Sequence, residues 1–264
     1  MLISIITVCL NAERTIGNTL ESVLNQDYEN IQYIIKDGNS SDSTNSIIDS
    51  YKEAFRRKGI KIIHIVEEDR GIYHAMNCAT AHIEGQWCFF LNADDSFYDN
   101  KVLSTVFGRD KVNESYVLYG GTNVILSAGR HMIVMGNAEH LPEYISLCHQ
   151  SCFIRADVMK AYGYDEKYRI ASDYNFMLRL YSKNPDKFRK MNLIISNFAR
   201  NGISGKNVDL MNKEMREIQR ANGFFSAGHV KKRNLLAGKL KKVVTAMVPQ
   251  TGEISFIVKN LKRE

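Results

Sequence analysis

The chain has 264 residues, of which 44% are apolar, 10% aromatic and 24% charged, and these proportions exclude disordered, collagen-like and low-complexity proteins. The net charge of +6 is concentrated near the end, because residues 229–264 carry a net charge of +7 and residues 1–228 a net charge of −1. A protein that binds nucleic acid through its body would spread basic charge over that body, so nucleic acid is excluded as a partner.

The first half of the chain alternates between two kinds of apolar pattern. Strands are predicted at residues 2–9, 31–35, 60–66 and 87–91, and the first two are expected to be buried because their apolar, often β-branched side chains are continuous. Helices are predicted between them at residues 16–24 and 72–83, and another runs from an N-cap at residues 40–42 to Phe55, because apolar positions there recur on one helical face. Successive strand–helix units imply a parallel sheet with right-handed crossovers.

The second half changes character. Short strands are predicted at residues 116–119, 123–126, 131–135, 151–154 and 190–198, with a hairpin turn at residues 127–129. Helices are predicted at residues 172–183, 208–221 and 229–246, the last of them basic and amphipathic. We therefore expect an α/β fold whose body covers residues 1–228, followed by a basic tail at residues 229–264.

Cysteine usage and hydropathy indicate the compartment. The five cysteines include no Cys-x-x-Cys pair, which favours buried thiols in a reducing compartment over a disulfide framework. Cys148, His149 and Cys152 are conceivable zinc ligands, but no fourth ligand is evident. Because the first residues do not resemble a signal peptide and no apolar run reaches about 20 residues, we expect a cytoplasmic or peripheral membrane protein.

Acidic residues directly follow three of the predicted strands. They are Asp37, the cluster at residues 67–69, and the pair Asp94 and Asp95. Open parallel sheets bind ligands beyond the carboxyl ends of their strands, and carboxylates gathered there need a cation or several hydroxyl and N–H donors. A nucleotide sugar with a divalent metal provides both, with Asp37 accepting from base or ribose and Asp94 and Asp95 binding Mg²⁺ or Mn²⁺. Each acid taken alone also fits a turn or a helix cap.

Six segments, taken together, resemble glycosyltransferase family 2. They are the opening at residues 4–26, DGNSSDST at 37–44, DRGIYHAMN at 69–77, FLNADD at 90–95, HQ at 149–150 and ASDY at 171–174. The chain is similar in this respect to bacterial enzymes that assemble O-antigen, colanic acid or capsular repeat units. The rival glycine signatures of nucleotide-binding folds, Gly-x-Gly-x-x-Gly and the Walker motif, are missing from their expected places.

The resemblance implies a GT-A type fold, in which a Rossmann-like, mostly parallel sheet with flanking helices adjoins a smaller mixed acceptor-side sheet. Residues 1–98 would bind the nucleotide sugar and residues 99–228 the acceptor. It also implies a UDP-sugar donor, Mn²⁺ or Mg²⁺, and inversion at the anomeric carbon. By position, Asp37 matches the nucleotide contact, Asp94 and Asp95 the metal and diphosphate region, and Asp173 the general base.

Other matched positions are weaker candidates. Asp69, Asn77, His149 and Arg200 are candidate substrate-binding residues, and Asp165 and Glu166 are reserves for the base. Asp173 begins a predicted helix, whose dipole would lower its pKa, so partial burial or a nearby carboxylate would be needed to keep it basic. The chain departs from the family pattern at three positions, since Asn92 and His74 replace frequent aspartates and Asn201 a frequent glycine.

The sequence thus predicts an inverting, metal-dependent, non-processive glycosyltransferase. It would move a hexose, with Gal or Glc favoured, from a UDP-sugar to an undecaprenyl-diphosphate-linked saccharide in lipopolysaccharide or similar surface polysaccharide synthesis. A processive synthase is disfavoured because no transmembrane segment and no Gln-x-x-Arg-Trp stretch occur. The alternatives are a nucleotidyltransferase, which would need a glycine-rich basic loop at residues 11–14, and an inactive sugar-nucleotide-binding scaffold.

The basic tail allows three interpretations: a solvated charge run, a dimer contact, or an interfacial helix on anionic lipid. Apolar side chains opposite the lysines favour the membrane surface, which is also where a lipid-linked acceptor lies.

Overall fold

The computed structural model describes residues 1–108, 112, 114–126, 129–199 and 207–224. Its helices are α1 (Ile16–Leu24), α2 (Thr44–Arg57), α3 (Ile72–Thr80), α4 (Val102–Phe107), α5 (Ala156–Tyr162), α6 (Ser172–Lys183) and α7 (Val208–Ala221). Its strands are β1 (Ile3–Cys9), β2 (Ile31–Asp37), β3 (Lys61–Val66), β4 (Trp87–Phe90), β5 (Ser96–Phe97), β6 (Val117–Ile125), β7 (His131–Met135), β8 (Cys152–Arg155) and β9 (Phe188–Ala199). The predicted helix at residues 229–246 lies outside the described residues, as does Arg200.

The first four strands form a parallel sheet in the order β3-β2-β1-β4. This confirms the parallel sheet predicted for the first half. Successive side chains of β1 face opposite sides of the sheet, with Ile5 in one core and Ile6 in the other, and both are fully buried. A strand buried on both faces needs the continuous apolar run that the sequence contains.

The rest of the sheet is mixed. Beyond β4 the order continues β8-β6-β9-β5, where β8 runs antiparallel to β4 and β6, β9 runs parallel to β6, and β5 runs antiparallel to β9. This is the smaller mixed region that the family resemblance implied. Since β5 pairs with β9, residues 1–98 and residues 99–228 contribute strands to the same sheet. The assignment of the nucleotide sugar to the first of these segments and the acceptor to the second stays a prediction.

One long strand, β6, occupies the place of two predicted strands. The predicted break between residues 119 and 123 is wrong, because Gly120 and Gly121 continue the strand through a shift in its register with β9. A Cβ atom on Gly120 would lie 2.6 Å from the carbonyl oxygen of Leu193, and one on Gly121 would lie 2.5 Å from Sδ of Met135. The glycines therefore permit close strand approach. β7 pairs antiparallel with β6, as predicted, while residues 127 and 128 of the predicted turn lie outside the described residues.

Helices cover both faces of the sheet. The apolar side chains of α1, α2 and α4 belong to one core, and those of α3, α5, α6 and α7 belong to the other. Over the part of the chain that the structure describes, no helix combines the length and apolarity needed to cross a membrane.

Candidate active site

Asp37 ends β2, and both oxygens of its buried carboxylate accept hydrogen bonds. Oδ1 accepts from the backbone N–H of Ser40 at 2.6 Å and from the Asn45 amide at 3.3 Å. Oδ2 accepts from the Ser40 hydroxyl at 2.6 Å and from the Cys9 thiol at 3.3 Å. Burial raises the pKa of Asp37, but these hydrogen bonds outweigh burial and hold the pKa below its ordinary value. Asp37 is therefore an ionised carboxylate that organises the turn after β2.

Lys36 joins the ends of β2 and β3 from a fully buried position. Its Nζ donates to Oδ2 of Asp69 at 2.8 Å and to two backbone carbonyl oxygens at 2.6 and 3.1 Å. Oδ1 of Asp69 lies 3.1 Å from Nδ1 of His74, and the potential ligand atoms of Asp69, His74 and Cys78 lie within 4.8 Å of one another. Because the Lys36 ammonium already balances the charge of Asp69, this cluster has little need of a cation.

The segment after β4 has the opposite character. Asp95 is only 2% exposed, its Oδ1 accepts from the backbone N–H of Ala199 at 3.1 Å, and its Oδ2 has no hydrogen-bond partner among the described residues. Oδ1 of Asn92 is also buried and unpartnered within that part of the chain. Burial raises the pKa of Asp94, and burial together with the Asp94 charge raises the pKa of Asp95 well above its usual range. Unpartnered oxygens beside two such carboxylates fit a hard divalent cation.

Asp173 is the second residue of α6, and its side chain is 18% exposed. Oδ1 accepts from the Tyr73 hydroxyl at 2.9 Å and from the backbone N–H of Tyr174 at 2.8 Å, while Oδ2 lies 2.8 Å from Nδ1 of His149. Burial raises the pKa of Asp173, but the hydrogen bonds from His149, Tyr174 and Tyr73 outweigh it, so the pKa lies below its ordinary value. The position of Asp173 at the start of a helix predicted a lowered pKa, and these three hydrogen bonds are its main cause in the structure.

His149 connects Asp173 to the segment after β4. Its Nε2 lies 3.4 Å from Nδ2 of Asn92, on the opposite side of the ring from Asp173. Because the amide nitrogen of Asn92 can only donate, Nε2 accepts, and the hydrogen-bond network assigns the ring proton to Nδ1, which donates to Asp173. The neighbouring Gln150 lies beside Asp95, where its side chain opposes the rise in the pKa of that group. The motif at residues 149–150 therefore contacts Asp173 and also the segment after β4.

The structure thus brings most predicted site residues to one edge of the sheet. Asp37 and Asp69 meet through Lys36, and α3, which follows Asp69, reaches Asp173 through the hydroxyl of Tyr73. Asp173 then connects through His149 to the segment that contains Asp94 and Asp95. Of the remaining candidates, Arg200 lies outside the described residues.

Asn77 and the two reserve acids contact other parts of the protein. The Asn77 amide donates to the carbonyl oxygen of Tyr164 at 2.9 Å and to Glu166 at 3.2 Å, and accepts from the Tyr164 N–H at 2.9 Å. Glu166 also accepts from Arg70 at 3.1 Å, and Asp165 accepts from the backbone of a neighbouring residue. Asn77 therefore fastens α3 to the segment before α6, and its contact with a substrate stays a prediction.

The conceivable zinc ligands point to other partners. The Cys148 thiol donates to Oε1 of Gln150 at 2.8 Å, and the Cys152 thiol donates to the Cys148 carbonyl oxygen at 3.2 Å. His149 uses both ring nitrogens for Asp173 and Asn92. Among the residues that the structure describes, these three do not form a metal-binding group.

Sequence reasoning missed two residues of the site. Lys36 was detectable as a charged residue in an otherwise apolar strand, which indicates a buried partner. The Tyr73 hydroxyl had no such signal, because its partner is 100 residues away in the chain.

Comparisons with known proteins agree with this arrangement. A family model described as "Glycosyl transferase family 2" matches residues 4–187. A "PGL/p-HBAD biosynthesis glycosyltransferase" of Mycobacterium tuberculosis is 27% identical over 212 residues, which cover 80% of this chain and 81% of that protein. The Escherichia coli "UDP-Glc:alpha-D-GlcNAc-diphosphoundecaprenol beta-1,3-glucosyltransferase WfaP" is 36% identical over 121 residues, which cover 45% of this chain and 46% of WfaP.

Two solved structures share the fold. Staphylococcus aureus TarS 1–349 in complex with UDP-GlcNAc matches with a TM-score of 0.65 and 18% identity over 84% of this chain, which spans 65% of the TarS chain. The mannosyltransferase PcManGT from Pyrobaculum calidifontis, in complex with GDP-Man and Mn²⁺, matches with a TM-score of 0.58 and 15% identity over 94% of this chain and 76% of its own.

Proposed function

This chain belongs to glycosyltransferase family 2, and we propose that it transfers a hexose from a UDP-sugar to a saccharide linked to undecaprenyl diphosphate. It is a glycosyltransferase with a GT-A type fold. We further propose that transfer inverts the anomeric carbon, depends on Mn²⁺ or Mg²⁺, is non-processive, and contributes to a bacterial surface polysaccharide of the O-antigen type.

The observation that carries this proposal is a series of hydrogen bonds, which connects Asp173 to His149 and His149 to Asn92. A single inverting displacement needs a base opposite the leaving group, close to the place where the diphosphate is held. The chain of contacts supports that geometry because it connects a partly exposed carboxylate to the acidic segment after β4. An inactive scaffold would have no need to hold Asp173 with three donors.

Asp173 would accept the proton of the attacking acceptor hydroxyl as the new bond forms between that oxygen and the anomeric carbon. At the same time, the bond between the anomeric carbon and the donor diphosphate breaks. The lowered pKa of Asp173 keeps the carboxylate ionised at neutral pH but also makes it a weaker base, so burial does not keep it as basic as expected from the sequence. The bonds from His149 and Tyr73 fix its orientation, and holding a base in the geometry of attack itself contributes to the rate.

Asp94 and Asp95, together with Asn92, would hold the divalent cation. The unpartnered oxygens of Asp95 and Asn92 support this assignment, since oxygen ligands suit Mg²⁺ and Mn²⁺. When bound, the cation supplies Lewis-acid stabilisation of the charge that develops on the leaving diphosphate. Asp37 and Asp69 remain the candidates for contacts with the nucleoside, and Asn77 and Arg200 for contacts with other parts of the substrates.

The names of similar proteins support the choice of donor and acceptor. WfaP is named for UDP-Glc and for a GlcNAc-diphosphoundecaprenol acceptor, and TarS is described in complex with UDP-GlcNAc. An undecaprenyl-linked acceptor lies in a membrane, which gives the basic residues 229–264 a proposed role as a peripheral anchor on its inner face.

The test is a panel of UDP-Glc, UDP-Gal, UDP-GlcNAc and UDP-GalNAc with a synthetic GlcNAc-diphosphate-lipid, measured with Mn²⁺ and with EDTA. We expect either Glc or Gal to be transferred when Mn²⁺ is present. The anomeric proton coupling of the product should then show a β-linkage. An α-linked product would contradict inversion, and undiminished transfer in EDTA would contradict metal dependence. Binding of UDP-sugar without any UDP release would favour the scaffold, and release of inorganic diphosphate from a nucleoside triphosphate would favour the nucleotidyltransferase.

The role of residues 229–264 has a separate test. We expect the full chain to sediment with vesicles that contain phosphatidylglycerol, and a chain lacking residues 229–264 to stay in the supernatant. Equal sedimentation of both chains would contradict the proposed anchor, and vesicles of phosphatidylcholine alone provide the control for anionic charge.

A further inference from the structure

Helix α7 lies beyond the residues matched by the family model, yet it contacts the segment that leads to Asp173. Glu214 of α7 is only 6% exposed. Its Oε1 accepts from the backbone N–H of Arg169 at 2.8 Å, and its Oε2 accepts from the N–H groups of Ile170 and Ala171 at 2.9 and 3.0 Å. One carboxylate therefore binds three consecutive backbone donors directly before α6.

These contacts anchor the N-cap residue of α6 and the two residues before it, and they do not cap the helix itself. The first N–H groups of a helix lack partners within the helix, and a Ser, Thr, Asp or Asn at the N-cap position commonly accepts from one of them. Ala171 occupies the N-cap position of α6 and has no side chain for this purpose. The hydroxyl of the next residue, Ser172, is buried without a partner among the described residues. Glu214 therefore holds the backbone that enters α6, while the N–H of Tyr174 in the first turn donates to Asp173 itself.

A second residue of α7 holds the other side of Asp173. The Gln219 amide donates to the Tyr174 hydroxyl at 3.2 Å and to the carbonyl oxygen of Glu143 at 2.9 Å. Tyr174 directly follows Asp173, and Ala171, which Glu214 binds, lies two residues before it. Helix α7 therefore contacts the chain on both sides of the proposed base.

The segment bound by Glu214 also supports a direct partner of Asp173. The Tyr73 hydroxyl lies 2.7 Å from the carbonyl oxygen of Ile170 and 2.9 Å from Oδ1 of Asp173. A shift of residues 169–171 would move Ile170 away from Tyr73 and turn the first residues of α6. Both changes would alter the direction in which the Asp173 carboxylate faces an acceptor.

We propose that Glu214 is a positioning residue for Asp173, acting through the backbone of residues 169–171. This inference rests on the proposed function, in which Asp173 is the base. It extends the machinery of the reaction from the family-matched region to a helix outside it.

The test compares Glu214→Gln with Glu217→Gln in the full-length enzyme. Glutamine keeps the size of Glu214 but turns an N–H₂ group toward backbone donors, so at least one of the three hydrogen bonds is lost. Glu217 lies one turn further along α7 and pairs with the exposed Lys167, away from these donors, which makes it the matched control. Turnover is divided by the number of UDP-binding sites found by calorimetric titration, so that misfolded protein is not counted.

We expect kcat per binding site to fall about 10- to 100-fold in Glu214→Gln, because small displacements of a positioned group have effects of this size. We expect the donor KM and the UDP dissociation constant to stay within about 2-fold of the wild-type values, since a group that acts only in the chemical step changes kcat alone. Glu217→Gln should match the wild type in every respect.

Three outcomes would overturn the inference. The first is a kcat per binding site in Glu214→Gln equal to that of Glu217→Gln, and the second is a loss of UDP affinity as large as the loss of turnover. The third is wild-type turnover in Asp173→Asn, which would remove the proposed base and this inference with it. An inactive Asp173→Asn together with an unaffected Glu214→Gln would refute the role of Glu214 alone.

Discussion

Two acidic regions at the same edge of the sheet differ in how the protein treats their charge. At the end of β2, Asp37 accepts hydrogen bonds from Ser40. After β3, Asp69 forms an ion pair with Lys36. After β4, Asp95 is nearly as buried, yet one of its oxygens has no partner among the described residues, and its pKa is raised rather than lowered. In the first region Lys36 pairs with Asp69, whereas the second region has no Lys or Arg paired with its carboxylates among the described residues.

This difference separates acids that hydrogen bonds within the protein already stabilise from acids that we propose a bound cation stabilises. Burying a carboxylate without a partner costs free energy, so a protein keeps such a group only where something compensates it. Asp173 falls between the two cases, because three donors hold it while part of its side chain stays exposed. The following variants test this division.

The largest effect is expected for Asp173→Asn. Removal of a general base lowers turnover by about 10²- to 10⁴-fold, and the variant should still bind UDP because Asp173 is not among the proposed donor contacts. Single-turnover transfer with labelled donor measures the loss. Asp165→Asn is the control, since Asp165 is the reserve candidate, and a larger loss in that variant would move the base to Asp165.

Asp95→Asn should lower activity and stabilise the cation-free protein. We expect turnover to fall about 10²-fold, the size of effect found when a group that stabilises developing charge is removed. Because the pKa of Asp95 is raised on folding, the folded state holds its proton more tightly than the unfolded chain. The contribution of Asp95 to stability in EDTA is therefore fully present below the ordinary pKa of Asp and is lost as pH rises through the raised value.

Thermal unfolding in EDTA between pH 4 and pH 8 measures this stability. Relative to Asp95→Asn, the wild type should lose stability as pH rises across that range and should recover it with Mn²⁺, to which the variant should respond less. If both proteins melt alike with and without Mn²⁺, the second region does not depend on a cation.

Asp37→Asn should have the opposite effect on stability. The pKa of Asp37 is lowered on folding, so its contribution is present above the ordinary pKa of Asp and is lost as pH falls through the lowered value. At pH 7 the variant should lose about 1–3 kcal/mol of unfolding free energy, because an amide replaces an acceptor of several hydrogen bonds. Urea denaturation measures the loss, with exposed Asp186→Asn as the control, and equal stability of the two variants would contradict the division.

The smallest effect is expected for Asn92→Asp, which restores the acid that is frequent in relatives. An additional carboxylate among the proposed ligands should tighten Mn²⁺ binding by roughly 3- to 10-fold, since affinity rises with the charge of the ligands. Calorimetric titration of Mn²⁺ into the UDP-bound enzyme measures the change. An unchanged affinity would show that residue 92 serves His149 rather than the cation.

The parallel half and its acids were predictable because their signals are local. The strands are rich in apolar residues, and Asp37 ends β2 while Asp94 lies four residues after the end of β4. Helices α4 and α5 were missed because six or seven residues provide too few repeats of the helical period. The break predicted at Gly120 was wrong because the close approach that calls for glycine involves β9, about 70 residues away.

The contacts of the site were less predictable than its members. The motifs indicated Asp173 and His149 separately, but the bond between them depends on how the turn before β8 packs against α6. The role of Glu214 left no local signal, because its three donors lie more than 40 residues earlier in the chain. Only tertiary packing brings such groups together.

The pairing of β6 with β9 has a consequence for work with shortened versions of this protein. The family match ends at residue 187, one residue before β9 begins at Phe188. A fragment cut at that boundary would keep every matched motif but leave one whole side of β6 open. Unpaired strand edges recruit other chains, so such a fragment would aggregate on expression. Recombinant versions should therefore extend at least to the end of α7, whatever the motif boundary suggests.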